Sequence, residues 1–199
     1  MTRFTFVISL FLICLGLASG LSVQDQSKVA QDQTKVAEPE YIEQFLLLDS
    51  TGALKPLERE LGKPSPEFKG KVLGMDGTYS YLISGSRSPV RIVEGTDLSV
   101  IIRLASREID PATVVQLFRL NVKGDNRELQ IWKMITKGRS VKTKTTQEDS
   151  AIPFEATKYG EKSFRIKPKI DLHPGEYSFS LTTSQDGYCF GIDKAPTSH

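Results

Sequence analysis

Leu172-His173-Pro174-Gly175-Glu176-Tyr177, followed at alternate positions by Phe179 and Leu181, is the stretch that decides the fold. Pro174 fixes φ, Gly175 admits a tight change of chain direction, and Tyr177 opens a strand whose side chains then point alternately in and out. This is the pattern of a tyrosine corner, in which a phenol hydrogen-bonds back to the backbone at the edge of an antiparallel β-sandwich. Leu172, Pro174, Gly175 and Tyr177 therefore have a structural task. They carry no chemistry.

Working outward, Gln185-Asp186-Gly187 turns the chain into a last strand, Tyr188 to Ile192. Upstream, Ile152-Pro153-Phe154 and Ser163 to Ile166 supply two more. Leu98, Val100, Ile102 and Leu104 alternate with Ser99, Ile101 and Arg103, which predicts a strand with one buried face. Thr113 to Lys123 and Arg127 to Ile135 form the longest predicted hairpin, turning at Gly124-Asp125-Asn126. Phe118, Leu120 and Val122 are expected to face the core. On the return strand Leu129 and Ile131 oppose Trp132 and Met134, so both faces are partly apolar.

The first third reads as shorter pieces. Phe45 to Leu48 and Ala53 to Leu57 flank Ser50-Thr51-Gly52, a hairpin signal. Glu58 to Leu61 is compatible with a helical turn that Pro64 and Pro66 would end. Lys71 to Met75 and Thr78 to Ile83 flank Asp76-Gly77, which predicts a tight loop. Pro89 restricts Val90 to Val93 to an edge or strand start. Strands at roughly ten-residue spacing with little helical periodicity define an all-β sandwich. Residues 41–194 form a single domain, too long for seven strands, so 41–85 adds strands to one sheet or forms a small appended lobe. Residues 195–199 are a tail.

The N-terminus has a different character. Arg3 precedes the uncharged apolar run Phe4 to Leu17, and Ala18-Ser19-Gly20 offers small residues for cleavage, so residues 1–20 read as a secretory signal peptide. The run is shorter than the roughly 20 residues that span a bilayer, so no transmembrane anchor is expected after cleavage. Residues 21–40 form a polar spacer with a seven-residue duplication: Gln24 to Ala30 is almost repeated by Gln31 to Ala37. Two heptads with Val29 and Val36 as the apolar positions fall short of a coiled coil, and the spacer is expected to add nothing to the core.

Of two cysteines, Cys14 lies in the signal, so Cys189 has no partner for an internal disulfide. Between Tyr188 and Phe190 it reads as a small buried apolar residue. Charge is nearly balanced, with 26 basic and 24 acidic residues, which gives no strong global field for nucleic acid or membrane. With no Asn-x-Ser/Thr site, the expected location is a bacterial envelope: periplasmic or secreted.

The Leu-x-Pro-Gly-x-Tyr stretch resembles the corner of immunoglobulin-like and fibronectin-type sandwiches, although Phe179 stands where the immunoglobulin family places a cysteine. Pro174-Gly175-Glu176-Tyr177 with Tyr188-Cys189-Phe190-Gly191 also resembles the C-terminal end of uncharacterised bacterial exported proteins. The resemblance covers about twenty residues. It implies an antiparallel immunoglobulin-like β-sandwich with extra N-terminal strands, and no activity.

Chemistry-bearing constellations are few. His173 and His199 have no partners at metal spacing, so neither a metal nor a cofactor is expected. Ser84-Gly85-Ser86-Arg87-Ser88 lacks the strand–elbow–helix setting of a nucleophile. Glu58 with Glu60, and Glu148 with Asp149, are neighbours in sequence and define no cleft. One asymmetry stands out: Lys133, Lys137, Arg139, Lys142 and Lys144 occur with no acid among them, inside a lysine-rich segment 133–169. Such a run suits anionic glycans or lipid headgroups, or simply a solvated edge that discourages strand pairing. Three functions remain open. The first is a non-catalytic protein that binds or organises a protein, glycan or lipid partner in the envelope. The others are a hydrolase with carboxylates brought together by the fold, and an assembly subunit that pairs through an exposed edge.

Overall fold

A computed structural model describes residues 36–71 and 74–196. Residues 1–20, expected to be a signal peptide, all but the end of the heptad duplication, and His199 lie outside the described residues. The fold is all-β, 58% strand and 5% helix. One sheet has the order β11 (Phe154–Tyr159), β12 (Ser163–Pro168), β7 (Val100–Arg103), β1 (Phe45–Leu48), β2 (Leu54–Pro56). The other runs β3 (Glu58–Leu61), β14 (Asp186–Asp193), β13 (Gly175–Leu181), β8 (Val115–Lys123), β9 (Asn126–Lys137), β5 (Gly74–Ser84), β4 (Lys63–Lys71). Beside this path β10 (Ser140–Thr145) pairs with β9, and β6 (Arg91–Val93) pairs with β14. All ladders are antiparallel except β6 on β14. Two single-turn helices, α1 (Pro111–Val114) and α2 (Gln147–Ser150), complete the list. Residues 41–85 thus place β1 and β2 in the first sheet and β3 to β5 in the second.

The main core lies between the first sheet and the β14–β13–β8 part of the second. Phe179 stacks on Phe45 at 5.3 Å between ring centroids and on Phe190 at 5.8 Å, which ties the two sheets together. Leu98, Val100, Ile102 and Leu104 all enter this core, as their alternation predicts. The corner forms as read: Tyr177 donates its hydroxyl to the His173 carbonyl at 2.6 Å, and Arg119 donates to the Pro174 carbonyl. Tyr177→Phe is expected to lose about 0.5–1.5 kcal/mol, the net worth of one internal hydrogen bond. An unchanged denaturation midpoint would contradict that role.

The second sheet curls into a half-barrel. Its outermost strands, β3 and β4, are consecutive in the chain with Gly62 alone between them, and the Gly62 N–H donates to the Gln185 carbonyl. One strand therefore leaves β14 and joins β5. The concave face holds a second, smaller apolar cluster of Ile83, Leu120 and Cys189, packed against Leu129. Burial on both faces explains β8: Leu117 enters the main core while Phe118 and Leu120 point into the curl. Val122, expected in the core, is 58% exposed: β13 pairs with β8 only as far as Leu120, so beyond that point β8 has β9 alone as its neighbour.

Three expectations for the first third change. Glu58 to Leu61 is strand, not a helical turn, since its backbone pairs with β14 from Cys189 to Asp186. Pro64 and Pro66 sit inside β4, where an outer strand tolerates residues without an N–H. Asp76-Gly77 is not a loop but lies within β5. Gly77 serves packing there, because a β-carbon would come within 2.8 Å of the Phe68 ring.

The spacer boundary also moves. Glu38, counted with the spacer, accepts hydrogen bonds from the backbone N–H of Glu161 (2.7 Å) and Lys162 (2.8 Å) and from the Ser163 hydroxyl (2.6 Å). Burial pushes its pKa up, but the Ser163 hydroxyl and the two N–H groups outweigh it and hold the carboxyl below its ordinary value of 4.5. A depressed folded pKa adds stability above the unfolded value, and that contribution is lost as pH falls through the folded one. Glu38→Gln is therefore expected to lower the melting temperature at pH 7 and to narrow the gap between neutral and acid melting temperatures. Equal gaps in wild type and variant would count against this contact.

Candidate functional site

The strands β4, β5, β9 and β10 extend from the half-barrel as an arm with two dissimilar faces. Register sets both. Lys144 is opposite Lys133, and Lys142 is opposite Ile135, so Lys133, Lys137, Lys142 and Lys144 share one face. Arg139 occupies the turn between β9 and β10, at the tip. All five side chains are exposed. Among the described residues Lys144 alone of the five is ion-paired, with Asp149 at 2.6 Å. Glu67, Lys69 and Asp76 belong to the same face through Thr78 and Lys133; Lys123 holds the Glu67 carboxylate at 2.5 Å, Asp76 accepts the Thr136 N–H, and the cations outnumber the two acids. The face is cationic.

The opposite face is aromatic. A bulge in β9 makes it so: Tyr79 pairs with Trp132, yet Ser80 pairs with Gln130, which leaves Ile131 as an extra residue. Strict alternation would put Leu129 and Trp132 on opposite sides. The bulge puts them on one. Leu129 lies opposite Tyr81 and Trp132 opposite Tyr79, and those two tyrosine rings meet edge-on at 5.7 Å. Trp132 stacks on Tyr79 at 6.1 Å and 10°, and Phe68 follows at 6.5 Å from Trp132. Thr146 anchors the bulge, donating its N–H to the Ile131 carbonyl and its hydroxyl to the Gln130 carbonyl.

This aromatic row leads into a cavity of about 440 Å³ within the curl. Tyr79 and Tyr81 line it from β5, Gln116 from β8, Ser180 from β13 and Gln147 from α2, above an apolar floor that includes Ile83 and Leu129. The turn from Thr182 to Gly187 forms its rim. Gly187 keeps the interior open to close approach: a β-carbon there would sit 2.8 Å from the Ser178 hydroxyl and 3.0 Å from Ile83 Cδ1.

At the other end of the curl lies a buried ion pair. Arg127 is fully buried, and its guanidinium donates to both Glu58 oxygens, at 2.6 and 3.0 Å. Its remaining donors reach the carbonyls of Ser84 and Gly85. Beside it Arg91 bridges Glu176 and Asp193, and the Arg91 guanidinium holds the Asp193 carboxyl below its usual range. Cys189 is buried and forms no disulfide, and burial pushes its thiol up to about 11. It is inert as a nucleophile at neutral pH.

The lysines are legible in the sequence, whereas most residues of the opposite face and of the cavity are not. Tyr79-x-Tyr81 was visible as an alternating aromatic pair. Gln116, Gln147 and Ser180 gave no signal, because they converge from strands and a helix far apart in sequence. His173 lies at the exposed corner, 3.3 Å from Glu94. Among the described residues no group of three His, Cys, Asp or Glu side chains is placed to hold a metal ion. Comparison with known proteins returned no matching family model, curated protein or solved structure.

Proposed function

We propose that the chain is an exported, non-catalytic binding module of a bacterial envelope, an immunoglobulin-like β-sandwich with extra N-terminal strands. It grips anionic groups, the phosphates or carboxylates of envelope lipids and glycans, through the lysine face of the arm. The observation that carries this reading is the register of β9 and β10, which aligns Lys133, Lys137, Lys142 and Lys144 on one exposed face with a single ion pair among them. Export is supported by Arg3 ahead of the run Phe4 to Leu17. The immunoglobulin-like class is supported by the corner bond of Tyr177 and by two sheets sharing one core. A non-catalytic role is supported by the commitment of the paired acids elsewhere: Glu58 to Arg127 and Asp149 to Lys144.

Each lysine near an anionic surface contributes about 1 kcal/mol, so Lys133→Gln, Lys137→Gln and Lys142→Gln together are expected to weaken binding roughly a hundredfold. The test is binding of the protein to phosphatidylglycerol vesicles and to lipopolysaccharide, each at low and high salt. Loss of binding both in high salt and in the triple variant supports the proposal, and preference for one probe identifies the source of the anion. Binding that ignores salt and the substitutions would overturn it.

A further inference from the structure

The cavity inside the curl carries polar side chains, beside its apolar cluster, that no hydrogen bond of the fold uses. Gln116, Gln147 and Ser180 are half-buried polar side chains. Among the described residues none of the three has a side-chain hydrogen-bond partner within the protein. Ser180 and Gln116 are directly opposite each other across β13 and β8, so an amide and a hydroxyl stand side by side. None of the three has a fully buried unpaired polar atom, so their amides and hydroxyl open to the cavity and are free to bond water or a ligand there. Facing them from β5 are the rings of Tyr79 and Tyr81, which meet edge-on at 5.7 Å.

Charge is nearly absent from this lining. Asp186 alone carries a formal charge, and Arg59 neutralises it at 2.7 Å. An anion has no cation to meet here, and a cation has no free carboxylate. A purely apolar ligand would leave the amides and hydroxyls unsatisfied. A ligand that matches the lining has apolar C–H faces for the aromatic rings and a periphery of neutral hydroxyls for the amides. Pyranose sugars have that construction. The volume of about 440 Å³ lies within the 300–1,000 Å³ common for small-ligand sites.

We propose that this cavity is a binding site for a neutral saccharide, with Tyr81 and Tyr79 as the stacking wall and Gln116, Gln147 and Ser180 as the hydroxyl-reading wall. The aromatic row through Trp132 to Phe68 continues the stacking surface out along the arm, which suits a chain of sugars rather than a single one. This site does not rest on the lysine face, which lies on the reverse side of β9.

Trp132 is the sole tryptophan of the chain and stacks on Tyr79, so its fluorescence reports occupancy. The experiment titrates the full protein with maltotriose, cellotriose, chitotriose and mannotriose, and with an uncharged Gly/Ser peptide as a control, each in low and high salt. At least one trisaccharide is expected to give a saturable change that salt leaves unaltered. Tyr81→Ala and Gln116→Ala are each expected to weaken it about tenfold, with folding checked by thermal melting. Gln147→Ala, on the exposed helix α2, gives a second hydrogen-bonding variant with little bearing on the core. Lys133→Gln with Lys142→Gln should leave saccharide affinity unchanged. No saturable response to any trisaccharide at about 10 mM would overturn the proposal. So would a response indifferent to Tyr81, Gln116 and Gln147, or one given by the peptide in place of the sugars.

Discussion

Glu58→Ala is expected to destabilise the protein by about 3–5 kcal/mol, the usual cost of leaving a buried charge without its partner. The size follows from an asymmetry in the pair. The Arg127 side chain is 0% exposed and Glu58 is 15% exposed. Removing Glu58 strands a guanidinium that water cannot reach, with only the carbonyls of Ser84 and Gly85 to hold it. Removing Arg127 instead strands a carboxylate that already touches solvent, so Arg127→Met is expected to cost less. Replacing both, as Glu58→Leu with Arg127→Met, is expected to recover most of the loss, because neither charge then has to be desolvated. Urea midpoints of the four proteins decide the matter. A loss of under about 1 kcal/mol in Glu58→Ala would mean that the guanidinium is solvated after all.

Phe179→Ala is expected to cost about 3–5 kcal/mol, through lost burial and the cavity left behind. Phe179 is 0% exposed and lies between Phe45 of the first sheet and Phe190 of the second. Its removal empties one of the central contacts between the sheets, leaving Phe45 against Tyr188 alone among the aromatic pairs that cross, and β-strands on either side cannot close the gap without breaking their ladders. Phe179→Leu keeps most of the volume and is expected to lose under half as much. A small, equal effect of both variants would show that the sheets are held together elsewhere. The saccharide and lysine tests are best run on variants whose melting temperature matches wild type, since either core change alone removes much of a typical domain's 5–15 kcal/mol.

The sequence reading and the structure agree where the signal is local. Leu98, Val100, Ile102 and Leu104 enter the main core together, because a period of two is a property of the strand itself, but the other face is not open as expected: Ser99 and Ile101 are buried as well. The corner at Leu172 to Tyr177 closes on its own carbonyl four residues away, so its geometry needs nothing distant. The reading failed where a residue's role was set from outside. Gly77 has the neighbours of a turn, yet Phe68 on the next strand demands a residue without a side chain there. Pro64 and Pro66 look like breakers, and they are tolerated because their strand lies at the end of the sheet path. Glu38 looks like part of a polar spacer until the turn at Glu161 to Ser163 is folded against it.

The candidate sites divide in the same way. The lysines of β9 and β10 were legible because a short hairpin separates them, and its register follows from the turn. The aromatic face was not. One extra residue at Ile131 reverses the alternation, and no local pattern marks a bulge. Antiparallel strands, the bond of Tyr177 to its own upstream carbonyl and a cationic hairpin are legible in the sequence, since each depends on residues close together. Tertiary structure alone decided that the second sheet curls, that Arg127 meets Glu58, and that Tyr81 faces Gln116 across a cavity. Those contacts join residues 35 to 69 positions apart, and they form only when the chain buries both faces of β8 and β13 at once.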